Sequence, residues 1–184
     1  MALPKTGRTI NYATGDDGDL KVGTAWPNPR FSDNSNGTVT DNLTGLIWLK
    51  DANCTETLGG IDPTATSNQL TWADSFTWIA ALASGDCGLT DSSSVGDWRL
   101  PNRVELESLL NLEYSSPSLS NAAGDAKWSE GDDAFTGVQS SNYLSSTTCA
   151  DSAGYAWVVD LNNGYVGYGN MDNGSYVWPV RGGQ

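Results

Sequence analysis

The stretch that decides the fold is Tyr143-Leu-Ser-Ser-Thr-Thr148, followed after a short gap by Tyr155-Ala-Trp-Val-Val-Asp-Leu-Asn-Asn-Gly-Tyr-Val-Gly-Tyr-Gly-Asn-Met-Asp-Asn-Gly-Ser-Tyr-Val-Trp-Pro-Val-Arg-Gly-Gly-Gln184. Two turn signals, Asn163-Gly164 and Asn173-Gly174, divide it into three short segments. Asn-Gly supplies the positive φ angles of tight hairpins. The segments between are rich in Tyr, Trp and Val and predict strands of an antiparallel meander. Tyr, Trp, Asn, Ser and Gly is also the composition of a recognition surface, in which rigid aromatics give contact area and small polar groups give adaptable hydrogen bonds. The candidate ligand-binding residues are therefore Tyr155, Asp160, Asn162, Asn163, Tyr165, Tyr168, Asn170, Asp172, Asn173, Ser175, Tyr176 and Trp178. Tyr165, Tyr168, Tyr176 and Trp178 are expected exposed on one face, with Trp157 and Trp98 inside. An ordinary meander with a few exposed tyrosines would use the same residue types.

Working outward, residues 1–30 are polar and Gly-rich and read as an extended lead-in packed on the edge of a domain spanning 31–184. Strands are predicted at about 37–41 and 45–50, joined through Asn42-Leu-Thr-Gly45. Thr71 caps a predicted helix, 72–82, whose Trp72, Phe76, Ile79 and Ala83 form an apolar stripe. Asn102 and Glu105 have capping-box spacing at the start of a second helix, 103–112, with Val104, Leu106, Leu109 and Leu110 on its buried side. Residues 113–140 read as irregular chain anchored by Trp128 and Phe135. A hairpin, two helices, a long loop region and a terminal meander make an α+β fold, with two helices packed on small antiparallel sheets and much loop.

Composition narrows the function classes. The net charge of −13 argues against nucleic acid, which needs a basic face, and against anionic membrane surfaces. No run is apolar enough to insert in a membrane. The start, Met1-Ala-Leu-Pro-Lys-Thr-Gly7, carries no apolar signal core, so an exported protein would be present here in mature or trimmed form. Of the three cysteines, Cys54 and Cys87 flank the first helix and are expected to pair, leaving Cys149 free. Three reduced thiols in a cytosolic protein is the alternative.

No cofactor is expected. The chain has no histidine, so it lacks a Ser-His or Cys-His nucleophile pair, and the cysteines do not have zinc spacing. Glu105 and Glu107 sit two apart on a helix and Asp132-Asp133 in a loop, which suits no acid–base pair across a cleft. Ser32–Thr38 and Asp16–Asp19 echo calcium loops without the closing Glu, and Asx turns account for both. Arg99 and Arg181 read as structural partners of acids or carbonyls.

Several stretches together carry a family resemblance. They are Pro29-Arg-Phe31, Asn36-Gly-Thr-Val-Thr-Asp-Asn-Leu-Thr-Gly-Leu-Ile-Trp48, Cys87-Gly-Leu89 and Gly96-Asp-Trp-Arg-Leu-Pro-Asn-Arg-Val-Glu-Leu106, with Ser145-Ser-Thr147, Ala156-Trp157 and Pro179-Val-Arg-Gly-Gly-Gln184. From about residue 29 to the end the chain resembles the Lcl-type domain at the C-terminus of a bacterial collagen-like surface adhesin. Leu144 stands where family members often have Trp. The resemblance implies a C-type-lectin-like fold of the formylglycine-generating-enzyme type, and binding rather than catalysis. The cysteine pair those enzymes use has no counterpart here. The fold class also includes variable proteins of diversity-generating retroelements, whose rewritten C-terminal segments alternate a fixed framework with Asn, Tyr, Asp and Ser. The expectation is an extracellular or cell-surface domain presenting its terminal meander to a protein or glycan ligand. A diversified receptor, a fixed-specificity carbohydrate- or glycosaminoglycan-binding adhesin module and a trimerising structural domain of a surface protein are the three forms it could take.

Overall fold

A computed structural model describes residues 3–131 and 133–182. Asp132 of the loop carboxylate pair and Gly183 and Gln184 of the terminal motif lie outside the described residues. The architecture is α+β, with few helices, two small antiparallel sheets and long connecting loops. The first sheet holds β1 (Phe31–Asp33), β2 (Thr38–Asp41), β3 (Ile47–Leu49) and β7 (Val180–Arg181) in that spatial order. The second holds β4 (Asn142–Thr148), β5 (Tyr155–Asp160) and β6 (Tyr165–Asn170).

The two predicted N-terminal strands are β2 and β3, and their turn is built around one carboxylate. Asp41 is fully buried. It takes Arg30 in a bidentate pair at 2.8 and 2.9 Å, the Leu43 N–H at 2.9 Å and the Thr44 hydroxyl at 2.8 Å. The Arg30 guanidinium also lies 4.5 Å from the Trp26 ring and 4.6 Å from the Phe31 ring. Burying two charges stabilises little by itself, but removing one partner leaves the other uncompensated. The pair therefore fixes this turn against alternatives.

Helix α2 (Trp72–Ala81) starts where expected, with the Thr71 hydroxyl accepting the Asp74 N–H at 3.2 Å. Its buried face differs from the predicted stripe. Ser75, Trp78 and Ile79 point inward, while Phe76 stays partly exposed and packs edge-on against Trp72. Trp78 sets the rotation, because its indole N–H reaches the Glu56 carbonyl at 2.8 Å.

Helix α3 (Arg103–Glu107) has the capping box but ends five residues short of the prediction. A longer helix would bond the Leu112 N–H to the Ser108 carbonyl. Instead Arg30 takes that carbonyl and Leu112 donates to Thr6 of the lead-in. Leu106, Leu109 and Leu110 are buried as expected, whereas Val104 is 70% exposed.

The lead-in packs along the edge through Leu112 and through Glu113, whose carboxylate accepts the Thr9 and Ile10 N–H groups. It also contains a short helix, α1 (Asp17–Leu20), capped by Asp16. In the long loop region Trp128 and Phe135 are core anchors, and Phe135 stacks edge-on between Phe31 and Trp178.

The C-terminal stretch departs most from the prediction. Asn163-Gly164 does close a hairpin, between β5 and β6, with only Gly164 at positive φ (77°). Asn173-Gly174 does not. After Asn170 the chain leaves the second sheet, bridges Leu70 at Ser175, runs parallel to Tyr143 at Tyr176, and enters the first sheet as β7. Three strands of one meander become a two-stranded hairpin and a staple across both sheets.

Candidate functional site

The β5–β6 register sorts the predicted ligand residues. Trp157 lies opposite Tyr168, and Tyr155 opposite Asn170. Directly opposed residues share a face of the sheet, and residues two apart along a strand do too. Tyr155, Trp157, Tyr168 and Asn170 therefore form one patch. The rings interlock: Tyr155 meets Tyr168 at 5.8 Å and Trp157 meets Tyr168 at 6.1 Å, both at 86°. The Arg103 guanidinium lies 4.6 Å over Trp157 and pairs with Glu107 at 3.1 Å. The Arg103 N–H is anchored in turn by the Thr147 hydroxyl at 3.0 Å. Asp172 and Asn173 are exposed in the turn that follows β6.

Tyr165 belongs elsewhere. It is 63% exposed and Tyr168 is 59% exposed, but they are three residues apart on one strand and so face opposite sides. Tyr165 shares its side with Asp160, and its ring lies where a Cβ on Gly167 would be. Asn162 and Asn163 are exposed at this second patch. Asn162 is tied to the Ser116 hydroxyl at 2.8 Å. Much of the polar chemistry serves turns: Asp160 accepts the Asn162 N–H, Asn163 that of Tyr165 and Asn170 that of Asp172. The expectation of a single exposed face is thus corrected to two patches, for the plain reason of the two-residue period of a strand.

Three further expectations change. Trp178 is fully buried, not a surface anchor. It packs against Trp48, Phe135 and Tyr143, and its indole N–H reaches the Leu49 carbonyl at 2.8 Å. Tyr176 is half-buried against Tyr143, and Ser175 is held by backbone bonds to Leu70. Trp157 is not core but half-exposed in the aromatic patch. Arg103 and Thr147 were missed by sequence reasoning. Only the helix start at Asn102 and the framework Ser145-Ser-Thr147 hinted at their place.

The disulfide joins Cys54 and Cys87, as predicted. Cys149 is free and half-buried at the end of β4. Loss of solvation, then the hydrogen bond and charge of Asp151, hold its thiol above the usual range, which makes it a poor nucleophile. Cys54, Glu56 and Cys87 come within 4.8 Å of one another, but both sulfurs are spent in the disulfide. The calcium-like segments use their oxygens internally. Asp33 pairs with Lys50, Asn34 and Asn36 bond Thr38, and Asp16 caps α1. Arg99 grips Glu105 with both terminal nitrogens at 2.7 Å, and Arg181 pairs with Asp91 at 2.8 Å.

Residues 37–181, from the turn before β2 to the end of β7 and including β4, β5 and β6, match a known family, the Lcl C-terminal domain. The chain belongs to the Lcl C-terminal domain family. No curated protein matches it. Membership makes the chain a surface-protein module of the adhesin type. Among the described residues no helix is long and apolar enough to cross a membrane. The disulfide is compatible with the oxidising conditions met outside the cytosol. Leu144 is buried in the core.

Proposed function

We propose that this Lcl C-terminal domain is a non-catalytic, extracellular binding module, and that it is a variable protein of a diversity-generating retroelement. Its ligand is a protein, and the contact surface is the patch of Tyr155, Tyr168, Asn170, Asp172 and Asn173 beside Trp157. The observation that carries this reading is the division of labour along β5 and β6. The backbone register runs unbroken from Tyr155↔Asn170 to Asp160↔Tyr165, while the Tyr, Asn and Asp side chains of the rewritable type stand at or near the surface. Core contacts come instead from residues of the fixed type, namely Ala156, Val158, Val159, Trp178 and Val180. A scaffold that must fold with many different side chains needs this separation.

A fixed glycan site would also use an aromatic platform. The acidity of the chain disfavours sulfated or otherwise anionic glycans, which leaves neutral sugars as that alternative. The test lies in the gene. A near-copy of its 3′ end, differing mainly at adenines and lying beside a reverse transcriptase gene, is the expected finding. Its absence, together with siblings identical at Tyr155, Tyr168 and Asn170, would leave the fixed adhesin.

A further inference from the structure

The fold closes three of its four sheet edges. On β1, Phe31 donates to the Ala122 carbonyl. On β7, Val180 exchanges two bonds with Arg99. On β4, Leu144 and Asn142 bond Tyr176, and Ser146 donates to Pro101. Among the described residues only β6 is left open. Paired residues alternate between bonded and non-bonded in an antiparallel ladder. Met171 donates to Gly154, one step beyond Tyr155↔Asn170, so Gly169, Gly167 and Tyr165 are the residues bonded to β5. Val166, Tyr168 and Asn170 then turn their backbone groups outward. The Asn170 carbonyl takes the Asn173 N–H. Among the described residues nothing bonds the N–H and C=O of Val166 and Tyr168 or the N–H of Asn170.

Proteins usually blunt such an edge with a charge, a proline or a bulge. Tyr165-Val-Gly-Tyr-Gly-Asn170 has no charged residue and no proline, and its register with β5 has no bulge. Charge brackets it instead, with Asp160 opposite Tyr165 at one end and Asp172 two residues past Asn170 at the other. A second copy would bring the same aspartates and another −13.

We infer that β6 accepts an extended segment of a basic partner as a fourth strand, with Lys or Arg at each end about 20 Å apart. Backbone bonds would supply sequence-tolerant affinity, and Tyr168 on one face and Tyr165 on the other would select side chains. The inference rests on the reading of this domain as a protein-binding module and names the class of segment it takes.

The experiment uses a lysine-capped peptide of alternating threonine and valine, about seven residues long, and amide hydrogen exchange read by NMR. The expected result is slowing of the Val166, Tyr168 and Asn170 amides by about tenfold or more at saturation, with Gly167 and Gly169 unchanged. The glutamate-capped peptide, and the lysine-capped peptide N-methylated on alternate residues, should give no protection. Absence of protection with the lysine-capped peptide overturns the proposal, as does equal protection by the N-methylated one. A concentration-dependent dimer that protects these amides without peptide assigns the edge to a second copy and also overturns it. Tyr155→Ser, on the neighbouring strand β5, leaves the β6 backbone and both selecting tyrosines in place, so peptide protection should be retained in it, and loss of protection there would overturn the assignment to the β6 edge. The gene test of the proposed function is read independently, so a failure of that reading and a failure of the edge are distinguishable.

Discussion

Residues 165–170 and residues 175–181 look alike on paper. Both mix aromatics with valine, and each follows an Asn-Gly pair. In the structure they have opposite fates. The first is an open-edged strand with two exposed tyrosines. The second crosses between the sheets and buries Trp178 among Trp48, Phe135 and Tyr143. What separates them is spacing from a structural commitment. The indole of Trp178 has a buried acceptor at Leu49, and Val180 has Arg99. Among the described residues Tyr165 and Tyr168 have no buried acceptor, and Gly167 and Gly169 leave little side chain for the core to hold. One region is the clasp of the fold, and the other is what the clasp displays.

The sharpest way to break this contrast is Trp178→Ala. Truncating a fully buried aromatic costs about 3–5 kcal/mol, and here it also frees the Leu49 carbonyl. The melting temperature should fall by well over ten degrees, or the domain should fail to fold. A small shift would mean that the staple is not a clasp. Reduction of the disulfide comes next. Cys54 and Cys87 are separated by 33 residues, and releasing that loop costs about 3–4 kcal/mol in the chain-entropy picture. Thermal melts with and without reductant read the loss. Hydrogen exchange should accelerate in β2, β3 and α2 before it does in β6.

How much of this was legible depended on whether the deciding contact was local. β2 and β3, the Thr71 cap and the Asn102–Glu105 box rest on residues near one another in sequence, and all were readable, as was the α+β class that their order implies; the cysteine pair spans 33 residues and was readable because the two cysteines flank the first helix. The short α3 was not, because Ser108 and Leu112 lose their mutual bond to Arg30 and Thr6, which no helical pattern reports. The rotation of α2 depends on Glu56 receiving Trp78. The burial of Trp178 depends on Leu49, 129 residues away. Within the candidate site, the patch at Tyr155 and Tyr168 was legible as composition. Its separation from Tyr165 needed only the alternation of a strand, a local rule outweighed by the apparent clustering.

A smaller effect tests the outer stitch of the clasp. Arg99 holds Glu105 and also donates to the Gly182 carbonyl, beside β7. Burial pushes the Glu105 carboxyl up, but the hydrogen bonds from Arg99 and the Asn102 N–H outweigh it, and the net shift is downward. A carboxyl lowered in the folded state stabilises above its unfolded value, near about 4.3. That contribution is lost as pH falls through the folded value. The pair is partly exposed, so it is worth about 1 kcal/mol or less. Glu105→Gln should lower the melting temperature by a few degrees at neutral pH. The gap to wild type should close as pH drops below about 4. A gap that widens in acid would contradict the assignment.

The smallest expected effect per substitution sharpens the other half of the contrast. Tyr155→Ser, Tyr165→Ser, Tyr168→Ser and Asp172→Ser are combined in one variant. Exposed changes away from caps usually cost under about 0.5 kcal/mol each. The edge-on pairs of Tyr168 with Tyr155 and Trp157 add a few tenths more. The sum is about 1–2 kcal/mol, and the melting temperature should fall by several degrees at most. Tyr176 is left out on purpose, since it is half-buried against Tyr143. Adding Tyr176→Ser should drop the midpoint further than any one of the other four. If the four-fold variant unfolds, β6 is a structural strand like any other, and its tyrosines are not free to vary. If it folds and Tyr176→Ser is equally harmless, the boundary between clasp and display lies between Tyr176 and Trp178, and Tyr176 joins the ligand surface.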